Sequence, residues 1–101
     1  MSEIIYLVHI HLVPHPAGME LPGYTGAVIT AALPIDAGVH HVSVHPSDGP
    51  NPVVGLYLES RTLSRAEALA RDLWETVADS HAWLRGWAFL RAEVPLIPVR
   101  H

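Results

Sequence analysis

The residues best equipped for chemistry in this chain are its histidines, eight in 101 residues, at positions 9, 11, 15, 40, 41, 45, 81 and 101. Imidazole is the side chain whose ordinary protonation change falls nearest neutral pH, so it serves as base, acid or metal ligand. His9 and His11 sit two apart in "YLVHIHLVPH", and His41 and His45 sit four apart in "VHHVSVH". In an extended chain, side chains of equal parity share a face. His9 therefore pairs with His11, and His41 with Ser43 and His45. By the same rule Tyr57 and Glu59 share a face in "VVGLYLE", and Trp87, Phe89, Arg91 and Glu93 do so in "WAFLRAEVPL".

Two chemistries suit these residues. The first is proton transfer. His41 with Tyr57, or His9 or His11 with Glu59, supplies a base and an orienting partner. His9, His41, Tyr57 and Glu59 are thus the catalytic candidates. His11, Ser43 and Arg91 would bind the ligand, Arg91 through its planar fork if the ligand is anionic. Trp87 and Phe89 would form apolar walls. The second chemistry is transition-metal binding by His9, His11, His41 and His45, with Glu59 as an oxygen donor. The H-x-H spacing permits that but does not specify it, and no H-E-x-x-H pattern occurs. The plain alternative is a set of half-buried polar groups at a wet interface, with Arg91 paired to Glu59 or Glu93 across strands.

The elements that must position these groups follow from pattern. Residues 4–13 are β-branched and aromatic, and Pro14 and Pro16 end them as a first strand. Residues 39–45 and 53–59 read as two strands of a hairpin around the turn-rich "PSDGPNP". A symmetric hairpin sets His41 opposite Tyr57 and His45 opposite Val53. One helix is clear, over about 64–82. Ala66, Leu69, Ala70, Leu73 and Val77 keep one-face spacing, and Ser64 with Glu67 spells a capping box. Trp74 and Trp83 read as packing anchors. Residues 87–96 form the last strand. Between the first two strands only 27–33 can be regular, as a short helix or a strand.

That order gives an α+β domain spanning 1–101. It is a ferredoxin-like split βαβ with a four-stranded antiparallel sheet, its first helix short or missing. A strand at 27–33 would instead give a meander with one helix. In the ferredoxin-like order the fourth strand lies beside the first, then the third, then the second. One face of the sheet is apolar: Ile4, Tyr6, Val8, Ile10, Leu12, Val42, Val44, Val54, Leu56, Leu58, Leu90, Ala92 and Val94 belong there, against the helix. The other carries Ile5, Leu7, Val13 and the candidate site residues.

Composition narrows the function classes. Hydrophobic residues are 50% and charged residues 16% of the chain. There is no cysteine, hence no disulfide framework or thiolate metal site. Net charge is −4, and all 6 basic residues other than histidine are Arg, so no basic patch invites a nucleic acid. No Gly-rich phosphate loop is present. No apolar run approaches a membrane span, and the N-terminus lacks a signal-peptide pattern, so a cytoplasmic protein with no membrane partner is expected. No pattern names a cofactor.

An open sheet face bearing Ile5, Leu7, Trp87 and Phe89 beside histidines would not stay bare to water. Element order and face polarity resemble those of dimeric α/β-barrel proteins. The resemblance lies in the fold alone, with no family motif. It implies a homodimer joined through the sheet face, with a cleft lined by His, Tyr, Glu and Arg. The expected function is accordingly small-molecule binding or a small enzyme with an acid–base site on that face. A metal-binding protein and a non-catalytic accessory protein with a structural dimer face are the alternatives.

Overall fold

The computed structural model describes residues 3–45 and 51–95. The elements run β1 (Ile4–Leu12), α1 (Thr25–Ala32), β2 (Val39–His45), β3 (Val53–Ser60), α2 (Leu63–Ser80), a short 3-10 helix (Ala82–Gly86) and β4 (Phe89–Glu93). The strands make one sheet in the order β2-β3-β1-β4, and every neighbouring pair is antiparallel. This is an α+β fold consistent with the ferredoxin-like arrangement. The part of the hairpin loop at 46–50, the end of the last strand at 96 and His101 lie outside the described residues.

The segment 27–33 is helical, within α1. Thr25 is buried at its start, and its hydroxyl donates to the Pro22 carbonyl at 2.7 Å. Pro34 stops the helix by forcing the preceding residue out of helical geometry, and Leu33 accordingly has ψ 141°. The first helix is therefore present but short.

α2 buries Ala66, Ala70, Leu73, Trp74, Val77 and Ala78. These pack on Val8, Ile10 and Leu12 of β1 and Val54, Leu56 and Leu58 of β3. Burying side chains of this size removes roughly 1.5–3 kcal/mol of exposure cost each. The principal extents are 45 × 34 × 20 Å. A thickness of 20 Å admits one sheet and one helical layer, given a spacing near 10 Å between packed layers. The helices take one side of the sheet and leave the other open.

The helix cap is a correction. Thr62, not Ser64, is the N-cap: it is extended, and its hydroxyl accepts from Arg65 N at 3.2 Å. Glu67 takes no part in a capping box. Its Oε2 accepts from Val94 N at 3.0 Å and ties α2 to the chain just after β4. Thr62→Ala is therefore expected to cost about 1 kcal/mol. For a domain of this size that lowers Tm by about 4–8 °C. Ser64→Ala should change Tm by no more than about half that, and calorimetry on both variants checks the assignment.

Two β-bulges redirect side chains. In β2 the register jumps from Val39↔Leu58 to His41↔Tyr57, so His40 is the extra residue. In β4 it jumps from His11↔Arg91 to Leu12↔Phe89, so Leu90 is extra. Simple alternation put Leu90 in the core and Phe89 on the open face. Instead Leu90 is 43% exposed, and Phe89 packs against the core, with the Arg71 guanidinium of α2 5.7 Å from its ring centre. Trp87 precedes β4 and is buried, its indole N–H donating to the Met19 carbonyl at 3.2 Å.

Candidate functional site

The open face is built in rows, one residue from each strand. Register aligns Ser43, Gly55, His9 and Glu93 in one row, and His45, Val53, His11 and Arg91 in the next. On the other side of Gly55 lie His41, Tyr57 and Leu7, followed by Glu59 and Ile5. The expected pairings of His41 with Tyr57 and His45 with Val53 are both present.

The histidines of the first two strands do meet. His9 lies with its ring centre 6.1 Å from that of His11 and 6.4 Å from that of His45. His11 Nε2 is buried and stands 2.9 Å from Glu93 Oε2, an ion-pair distance whose direction is poor for a hydrogen bond. Distance is the better guide here, because a small rotation of either group restores the angle. Arg91 Nε donates to the other oxygen, Glu93 Oε1, at 3.3 Å. Glu93 thus stands between a histidine and an arginine, and Arg91 pairs with Glu93 rather than Glu59.

Gly55 lies at the centre of this face. A Cβ built there would stand 2.5 Å from Ser43 Oγ, 3.3 Å from Leu7 Cδ1 and 3.7 Å from His9 Cδ2. The hydroxyl of Ser43 occupies space that a side chain on β3 would need. Glycine weakens a strand interior, and its usual reason is a close approach by something else. Here it lets the Ser43 hydroxyl, with Leu7 and His9 beside it, close over the backbone of β3.

A second group gathers toward the other end of β2. His41 and Tyr57 have ring centres 5.6 Å apart. Beside them His40 Nε2 lies 2.5 Å from Glu59 Oε1. The partner foreseen for Glu59 was His9, His11 or a metal, and the residue in place is His40. Strict alternation would set His40 on the side of Val42 and Val44, and the bulge turns it to the side of Glu59. Two adjacent histidines soon after a glycine were the one available hint, since Gly38 has the positive φ of 78° that eases such a break.

Of the candidate residues, His9, His11, His41, His45, Ser43, Tyr57, Glu59 and Arg91 all lie on the open face. Trp87 and Phe89 do not, and cannot wall a site there. The walls available are Leu7, Ile5, Tyr57 and Val53. No group of three or more His, Asp or Glu side chains among the described residues is placed to hold a metal ion. His15 lies against Trp87 with ring centres 4.9 Å apart and planes tilted by 58°, and it accepts from Ala17 N, which is a packing role. No helix among the described residues is long and apolar enough to cross a membrane. No protein-family model, curated protein or solved structure matches the chain.

Proposed function

We propose that this protein binds a small organic molecule at an acid–base site on its open sheet face, and that a second copy closes the site, as in dimeric α/β-barrel proteins. The carrying observation is one uncovered face that holds both kinds of group a pocket needs. Apolar area comes from Ile5, 53% exposed, and from Tyr57, 38% exposed. Polar groups lie beside it: His9 and Ser43 flank Gly55, and His11 and His45 have ring centres 6.1 and 6.4 Å from that of His9. Ligand sites pair apolar walls with a few inward polar groups. The single sheet is too flat to enclose a molecule, so the second wall must come from a partner, and a two-fold pairing of identical faces is the commonest way to supply one.

The polar set favours proton transfer. Imidazole, phenol and carboxylate are donors and acceptors that change state at accessible pH. Arg91 pairs with the Glu93 carboxylate, so its positive charge is partly answered within the chain. That favours a neutral or singly charged organic molecule over a phosphate.

Light scattering at micromolar concentration tests the closure, with a mass of twice the 11.0 kDa of one chain expected. A thermal-shift screen of aromatic and carboxylic fragments tests the site, with stabilisation lost in His9→Ala and in Ser43→Val. A dimer that no fragment stabilises would mean that the face is an accessory protein's interface. A monomer would remove the closure.

A further inference from the structure

We infer that His40, oriented by Glu59, is the general base of this face, acting on a small planar organic molecule with a weakly acidic C–H, seated between the α1–β2 groove and the His41–Tyr57 ring pair. The inference takes its acid–base chemistry from the reading above but sets it at the other end of β2 from Gly55 and His9, and it does not rest on the dimer.

The pair is built rather than incidental. A bulge at an edge strand gives up a regular ladder position to turn one side chain, and bulges of this kind gather beside active sites. The backbone that carries Glu59 is fixed: Glu59 N donates to the Gly38 carbonyl at 2.9 Å, and the left-handed Gly38 lies close to Glu59 Cβ. Both side chains remain open, His40 at 48% and Glu59 at 41% exposed. An exposed pair of this kind adds little stability, about 0–1 kcal/mol. Reactivity is what the arrangement supplies. A carboxylate on Nε2 fixes the ring orientation and holds the proton there, which leaves Nδ1 as the basic nitrogen.

The surroundings define the molecule. His40 and His41 line a groove of about 510 Å³, whose other walls include Leu33, Val39, Val42 and Thr30. That volume lies within the range of small-ligand sites. The walls mix apolar and polar surface. The tilted rings of His41 and Tyr57, 5.6 Å between centres, supply an aromatic surface beside the base. A flat molecule with an apolar ring and polar edges fits that setting.

The probe is 5-nitrobenzisoxazole, a planar carbon acid. His40 takes the proton from the ring carbon beside nitrogen. The C–H electron pair becomes the new C–N π bond of a nitrile, and the N–O bond breaks to release 2-cyano-4-nitrophenolate. His40 then gives the proton to water, and no other reactant is needed. The full chain should turn the probe over with a second-order constant about 100-fold above that of free imidazole. His40→Ala should lose at least about tenfold of this, and added imidazole should restore part of it, which a merely misfolded variant would not allow. Glu59→Gln, a positioning change, should lower kcat several-fold with KM little changed. Circular dichroism on each variant checks folding. A wild-type rate equal to that of free imidazole, or a folded His40→Ala variant as fast as wild type, overturns the inference. Light scattering on the same samples keeps the two readings apart. A monomer with His40-dependent turnover removes only the dimer, and a dimer with His40-independent turnover removes only this base.

Discussion

Leu7→Asp is expected to release a folded monomer from a wild-type dimer. Leu7 sits near the middle of the open face, opposite Tyr57 and against Gly55. In a dimer joined through this face, two copies of an aspartate would be taken out of water without a partner. Each such charge costs several kcal/mol after relaxation. A combined loss of about 4 kcal/mol already weakens association about a thousandfold. In the monomer the same side chain reaches solvent, so the fold should survive with a modest change in Tm. Analytical ultracentrifugation over a concentration series gives the shift directly. Phe89→Ala is the contrasting variant. Phe89 is partly buried against the core beneath Arg71, so its loss should lower stability by about 1–3 kcal/mol and leave the association constant of the folded fraction unchanged. Alternation in the sequence made Leu7 and Phe89 equivalent dimer residues, and the bulge in β4 separates them. A Leu7→Asp variant as dimeric as wild type would move the interface off this face.

The bulges also show where sequence stops determining position. β1 and β3 are central strands with the core on one side, so a slip of one residue would exchange Val8, Ile10 and Leu12 for His9 and His11 in the core. That penalty enforces strict alternation, and parity read those strands correctly. β2 and β4 are the edge strands of the sheet. Each has a neighbour on one side only, so an extra residue disturbs one ladder and not two. His40 and Leu90 are those extra residues, and nothing in "VHH" or "FLR" marks them beyond the glycine at 38. The hairpin register was legible because the loop is symmetric about it. The helix cap was misread because Ser64 and Glu67 fit a local template, while Glu67 has a tertiary partner, Val94 N, that the template does not contain. Trp87 was misplaced for a similar reason. The chain is not yet a strand there, and a bond from the indole to a carbonyl 68 residues away decides its direction.

Gly55→Val is expected to abolish fragment binding at the sheet face without unfolding the protein. The case turns on which atoms stand in the way. The nearest, Ser43 Oγ at 2.5 Å from a new Cβ, is the end of a single-rotor side chain, and the next, Leu7 Cδ1 at 3.3 Å, is also a side-chain terminus. Both can move, so an alanine or a valine can be accommodated by rotation. Valine is also the better strand former, and glycine costs a strand roughly 0.5–1 kcal/mol relative to alanine. Tm for Gly55→Ala should therefore stay level or rise. The space that the side chain takes is held by Ser43 Oγ and Leu7 Cδ1, so Ser43 must turn away. Fragment-induced stabilisation should shrink in Gly55→Ala and vanish in Gly55→Val, while His40-dependent turnover of 5-nitrobenzisoxazole, centred at the other end of β2, should persist. If Gly55→Val keeps the fragment shifts, the face around Gly55 is not the site. If Gly55→Ala lowers Tm sharply, the glycine serves the packing of Ser43 and Leu7 and has no further functional meaning.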